Sequence, residues 1–316
     1  MARKSKDWPA YRLTTPAIVL IGFVVCIVVY GLISVIVNPQ AAVVSSRSEE
    51  CCKGIQRREM WGAVVRSGSE LKFNSSEQCC QACKNTCTED GHCPCNSWVF
   101  CGNKDACKHQ FGECWLKKQD DKLIPSVRDD SSLMWTSGLI YGEEEGIIGM
   151  ETKHGTIHIR LLPDCAPRSV DYVLEILKLK FCGGCQIYRA EPRGDFWDSE
   201  GDHIKDALNG PPYGLIQGTI DADGSPPTIP KENPASIRRG SVAWVDSGPE
   251  FFISLANHDE WVGKYTVFGT VLREDMWVVE KIAALPTKAE LWNKIEVAVL
   301  DRPVPISIQR RKTDSN

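Results

Sequence analysis

Residues 251–282 read FFISLANHDEWVGKYTVFGTVLREDMWVVEKI. Two short apolar runs, FFIS and YTVFGTV, flank a charged, glycine-bearing break, and each reads as a strand. MWVVEKIAAL at 276–285 follows with helical spacing. Toward the N-terminus, METKHGTIHIRLL (150–162) alternates as a strand–turn–strand pair about Lys153–Gly155, and Pro163 and Pro167 end it. SVDYVLEILKLK (169–180) has apolar residues at 170, 173, 174, 176, 177 and 179, with Ser169 as the predicted N-cap. Short strands separated by Gly, Pro and Asp turns occupy the interval between the helices. Many strands with one early and one late helix predict a mainly-β closed barrel with two helices over 147–312.

Before residue 147 the sequence changes character. GEEEG at 142–146 is a charged break inside a predicted linker, 139–146. Of 15 cysteines, 11 fall between Cys51 and Cys114: Cys51, Cys52, Cys79, Cys80, Cys83, Cys87, Cys93, Cys95, Cys101, Cys107 and Cys114. In a reducing compartment such spacing with His92 would suggest zinc; in an oxidising one it reads as a disulfide framework, which is the reading adopted. Residues 51–138 then form a small disulfide-rich α+β domain. Ser75-Ser76-Glu77 before QCCQACKNT predicts a capped short helix, and NSWVFC (96–101) and ECWLK (113–117) predict strands. Asn74-Ser75-Ser76 is an N-x-S glycosylation sequon.

Cys165, Cys182 and Cys185 lie in the second half. Cys182-Gly-Gly-Cys185 reads as a local disulfide; a redox pair would call for a βαβ setting. Eleven and three are both odd, so full oxidation requires at least one disulfide between the halves, with Cys165 the candidate.

AIVLIGFVVCIVVYGLISVIV at 17–37 has 21 residues and no charge. At helical rise it spans about 30 Å, the thickness of a bilayer's hydrocarbon core. Arg3, Lys4, Lys6 and Arg12 precede it and Arg47 follows. This bias predicts a cytosolic tail (1–16), a transmembrane signal anchor (17–37), a luminal stem (38–50) and luminal domains, ending in a short tail (313–316). The expectation is a single-pass type II membrane protein of the Golgi or endoplasmic reticulum. A cleaved signal peptide with a site near Ala41–Ala42, or a buried helix, are the competing readings.

The net charge of −4 gives no polyanion-binding signal, so no nucleic-acid partner is expected. No Ser-His-Asp set, phosphate loop or paired carboxylates stand in supporting context. No cofactor and no metal are expected.

Two resemblances add to this reading. The CCxxC helix, the C-N-x-W-V-F-C strand and the late C-W-L-K strand, with MWTSGLI at 134–140, resemble the PAN/Apple domain family. That implies a short helix on a curled antiparallel sheet and a protein- or carbohydrate-binding module. METxxGxIxIxLxPxxAPxSV, the Tyr-Arg after a glycine turn, and FFIS…W-x-x-K-x-x-V-F-G-x-V at 251–271 resemble a cyclophilin-type peptidyl-prolyl isomerase domain.

The second resemblance implies binding of proline-containing luminal proteins, with an apolar pocket for the proline ring. It also implies an arginine that hydrogen-bonds near the prolyl amide and favours its twisted transition state. By resemblance Arg189, in QIYRAEP, is the catalytic arginine, with Tyr188 where the family has His. Phe196, Ala243, Phe252, Trp261, Val262 and Tyr265 fall at substrate-pocket positions. The family's M-x-Q-G-G-D is replaced by FWDSEGD, which sets Ser199 at the Gln. Trp244 replaces an Asn, and Glu250 replaces the Gln before F-F-I. The apolar floor and the arginine are kept while most polar ligands change. This implies weak isomerisation, or a fold that only binds.

Overall fold

The computed structural model describes residues 51–88, 91–179, 182–207, 210–221, 228–232 and 235–311. The chain divides into two compact units, Met1–Cys51 and Cys52–Asn316; the description below concerns the second. The predicted span 17–37 lies outside the described residues, and among those described no helix is long and apolar enough to cross a membrane. The expectation of a single-pass type II membrane protein with a transmembrane helix is corrected accordingly: the described helices are 4 to 12 residues long, whereas a span needs about 20.

The first elements are β1 (Ile55–Gln56), β2 (Arg58–Met60), β3 (Ala63–Arg66), helix α1 (Ser76–Lys84), β4 (Ser97–Cys101), helix α2 (Lys104–Cys107), β5 (Cys114–Lys118), β6 (Val127–Asp129) and β7 (Trp135–Leu139). Five strands form an antiparallel sheet in the order β1-β7-β4-β5-β3, and β2 pairs with β6. Ser75 caps α1 as its spacing predicts, its side chain accepting from the Gln78 N–H. The buried face of α1 carries Cys79, Cys80 and Cys83, and each leads out through a disulfide: Cys79–Cys114, Cys52–Cys80 and Cys83–Cys95. Cys87–Cys93 and Cys101–Cys107 close shorter loops. Under the helix, Trp98, Phe100 and Leu116 complete a small core. So few apolar side chains need such links, each typically worth about 2–4 kcal/mol.

The remaining elements are β8 (Ile147–Thr152), β9 (Gly155–Leu161), helix α3 (Pro167–Lys178), β10 (Gln186–Glu191), β11 (Leu215–Thr219), β12 (Ser241–Trp244), β13 (Glu250–Ser254), β14 (Val267–Val271), helix α4 (Met276–Ala283), β15 (Thr287–Trp292), β16 (Ile295–Pro305) and β17 (Ser307–Arg310). They form one sheet, ordered β15-β16-β10-β11-β13-β12-β14-β9-β8-β17. The expected closed barrel is corrected here, because the outer strands β15 and β17 do not pair. The chain runs from β16 into β17 through Pro305-Ile306, so that β16 pairs with β10 while β17 pairs with β8. Pro303 and Pro305 lack the N–H groups that would extend a ladder at this corner.

The start of α3 also differs from its prediction. The helix begins at Pro167, whose fixed φ suits the first helical position, and Ser169 lies inside it. Glu232, some 63 residues away, supplies the cap: one carboxylate oxygen accepts from the Arg168 N–H, the other from the Ser169 N–H and hydroxyl, all at 2.8 Å.

The cysteine-rich elements and the large sheet share a core. Met60, Val99, Trp135 and Leu139 belong to the same buried cluster as Ile148, Val170 and Leu174. Above it Arg58, 4% exposed, binds Asp129 on β6 and Asp171 on α3 through paired hydrogen bonds. Cys182 pairs with Cys185, and Cys51 and Cys165 are each disulfide-bonded as well.

Candidate functional site

The register of the large sheet lines up one row of residues. Arg189 on β10 faces Gln217 on β11, Gln217 faces Phe252 on β13, Phe252 faces Ala243 on β12, and Ala243 faces Val267 on β14. Directly opposed residues share a face, so these side chains make one surface. The neighbouring row, Ala190–Ile216–Ile253–Val242, faces the opposite way into the core.

Arg189 reaches the outer face through a β-bulge. The register shifts between Ile187 and Arg189, leaving Tyr188 as the extra residue. Without the bulge, period two would place Arg189 on the same face as Ile187, which is fully buried. Gly218 permits the close approach of strands there: a Cβ on it would lie 2.4 Å from the Gln186 carbonyl oxygen.

The guanidinium is held on two sides. Nε donates to Glu191 Oε1 at 2.9 Å and Nη2 lies 2.8 Å from the same oxygen, while Nη1 donates to Gln217 Oε1 at 2.8 Å. Glu191 is 1% exposed, and its other oxygen accepts from the Tyr213 N–H at 2.7 Å. The Gln217 amide donates to the Tyr188 hydroxyl at 2.8 Å and to Glu250 at 3.3 Å. Burial, and then the charge of Glu250, push the Tyr188 phenol well above its usual range. The rings of Tyr213 and Trp292 stand 5.8 and 5.7 Å from the guanidinium carbon.

Beside Gln217, aromatic rings cover Phe252. Trp261 meets it edge-on at 5.8 Å and Tyr265 at 5.0 Å, and Tyr213 lies 5.7 Å from Trp261. These pack with Ala243, Val267, Leu215 and Ile237 into one apolar cluster. Burial raises the Tyr265 phenol. His258, fully buried, stacks on Trp261 at 3.7 Å, its ring nitrogens 2.8 Å from the Tyr213 carbonyl oxygen and 2.6 Å from Glu260; burial pulls its pKa down.

Of the residues chosen from sequence, the structure brings Arg189, Ala243, Phe252, Trp261 and Tyr265 together. Val262 is 57% exposed. Phe196 ends a short 3-10 helix and meets Trp197 edge-on at 6.0 Å; Trp197 in turn lies 5.2 Å from His258, which stacks on Trp261. Ser199 is exposed in the next turn, its carbonyl accepting from Arg193. The glutamine beside Arg189 is Gln217, in GLIQGT, 18 residues beyond Ser199, where L-I-Q-G keeps the Q-G of the M-x-Q-G pattern with Leu215 in place of the Met. The signal was that L-I-Q-G, at the head of an apolar strand; the intervening residues 192–213 hid it. Trp244 is not beside the pocket. It faces the core, stacked on Phe268 at 4.1 Å. Glu191 and Trp292 carried no sequence signal. Asn74 is exposed just ahead of α1. Among the described residues no group of three His, Cys, Asp or Glu is placed to hold a metal.

Residues 147–304 match the sequence profile of the family described as cyclophilin type peptidyl-prolyl cis-trans isomerase/CLD. The chain is 30% identical over 147 residues to peptidyl-prolyl cis-trans isomerase-like 1 of Rhizopus delemar, covering 46% of this chain and 85% of that protein. It is 26% identical over 171 residues to peptidyl-prolyl cis-trans isomerase B of Streptomyces anulatus, covering 49% and 93%. Among solved structures, a cyclophilin type peptidyl-prolyl cis-trans isomerase of Cryptosporidium parvum matches with a TM-score of 0.35 and 14% identity, over 53% of this chain and 98% of that one. A further structure of that protein, determined in the presence of the dipeptide Ala-Pro, matches with a TM-score of 0.34 and 16% identity, over 53% and 99%. With the profile spanning half of its length, the chain belongs to the cyclophilin-type peptidyl-prolyl cis-trans isomerase family.

Proposed function

We propose that this protein binds proline-containing polypeptide segments on the Arg189 face and isomerises them slowly. The observation that carries the reading is the row Arg189–Gln217–Phe252–Ala243, which sets a cation and an amide beside an apolar aromatic cluster. An X–Pro bond is held planar by amide resonance, a barrier of about 18–20 kcal/mol. A guanidinium donating near the prolyl amide favours the twisted form, in which that resonance is lost. Here Glu191 takes one edge of the guanidinium and lowers the positive potential it offers. Phe252 is 2% exposed beneath Trp261 and Tyr265, so a proline ring enters only as these side chains give way. Both features argue for slow turnover. The test is fluorescence anisotropy with a labelled Ala-Pro peptide and the oxidised full chain. Saturable binding that weakens about tenfold in Arg189→Ala supports the reading; no binding by the folded chain sinks it.

A second reading has a supporting observation of its own. Residues 51–138 carry the PAN/Apple-like cysteine pattern, with α1 joined by disulfide to the strand β5 beneath it. A groove of about 600 Å³ lies there, lined among others by Asn74, Ser75, Phe100, Asn103, Ser131 and Trp135. Hydroxyls and amides beside two aromatic rings suit a protein or carbohydrate ligand, and on this reading the cyclophilin fold is catalytically inactive. Binding to a glycan or protein array that is lost in Asn103→Ala, with no isomerisation, favours it.

A further inference from the structure

Trp292 has no place in the core. It ends β15, and Asn293 and Lys294, with φ of 48° and 71°, turn the chain into β16. The ladder sets Trp292 opposite Ile295, which is 45% exposed. Trp292 is half-buried and belongs to none of the hydrophobic clusters. Its ring lies 5.7 Å from the Arg189 guanidinium carbon and 6.1 Å from the Tyr188 ring. Its indole N–H already donates to Glu290 at 3.2 Å.

We propose that Trp292, with Ile295 and Tyr188, forms a subsite for a large apolar or aromatic side chain flanking the proline of a bound segment. The inference rests on the reading of the Arg189 face as proline-binding. The class of side chain follows from what the surface offers. With its N–H satisfied, the indole presents a ring and no polar demand. The charge of Arg189 is paired with Glu191, so a charged side chain gains little beside it. An apolar or aromatic one gains by covering Trp292 and Ile295. The reach follows from the sheet order. Between Phe252 on β13 and Trp292 on β15 lie four strand spacings, about 19 Å, which an extended chain crosses in about six residues.

The experiment walks phenylalanine through an alanine-flanked Ala-Pro peptide, one position at a time over six positions on either side. Binding to the oxidised full chain is read by fluorescence anisotropy. At one or two positions phenylalanine is expected to tighten binding about tenfold over alanine. Trp292→Ala should reduce that preference to about twofold or less. Trp292→Phe, which keeps a ring, should retain most of it, and Leu291→Ala, at a site 72% exposed, should retain all of it. Phenylalanine without effect at every position, or a preference that survives in Trp292→Ala, overturns the subsite while leaving proline binding intact. If no peptide of the series binds, the proline-binding reading fails and the subsite with it.

Discussion

At the scale of single residues, Glu191 decides how the arginine works. A buried carboxylate bound to the Arg189 guanidinium and to the Tyr213 N–H fixes which edge of Arg189 is turned outward and reduces its field. Glu191→Gln removes the charge and keeps an acceptor. We expect it to raise the isomerisation rate severalfold and lower stability by about 1–2 kcal/mol, read by exchange NMR on an Ala-Pro peptide and by urea denaturation. An unchanged rate would mean that the carboxylate does not restrain the arginine. Arg189 itself was legible only through the resemblance, which sets QIYRAEP at the family's arginine with Tyr188 in place of its His. Glu191 was not, since nothing local shows that a strand glutamate two residues on turns back to the arginine. Trp244 could have been placed correctly: Ala243 and Trp244 are adjacent in a strand, so if Ala243 faces the pocket, Trp244 faces the core.

At the scale of elements, the hairpin β8–β9, the helix α1 with its Ser75 cap and the late helix α4 were all written in local pattern. What escaped depends on distant pairing. The bulge at Tyr188 answers to Gly218 on the next strand, and the open edges of the sheet answer to where β16 turns into β17. The cap of α3 is the clearest case, because Glu232 lies in a loop that periodicity does not describe. Its carboxylate satisfies two backbone N–H groups at the positive end of the helix. Glu232→Ala is expected to destabilise the protein by about 2 kcal/mol, seen as a lower urea midpoint at unchanged slope. Ser169→Ala, which removes only the hydroxyl contact, should cost less than half of that. Equal losses would contradict the assignment of the cap to Glu232.

At the scale of the whole molecule, the cysteine-rich elements and the large sheet behave as one body, joined by a common core and by Arg58. Hydrogen bonds from Arg58 hold the Asp129 carboxyl below the usual carboxylate range. A depressed folded pKa contributes stability above the unfolded value, near 4, and that contribution disappears as the pH falls through the folded value. Stability should therefore decline on acidification below about pH 4, and Arg58→Ala, costing about 3 kcal/mol at neutral pH, should flatten the decline. A variant with an unaltered acid profile would remove Asp129 from that role. On the proposed reading Arg189, restrained by Glu191, gives this family member a slow prolyl isomerase site. Its most direct test is exchange NMR of an Ala-Pro peptide with the oxidised full chain, beside Arg189→Ala. Measurable catalysed exchange that is lost in the variant is expected; exchange that persists in Arg189→Ala, or none at all from the folded wild-type chain, would contradict a slow isomerase site at Arg189.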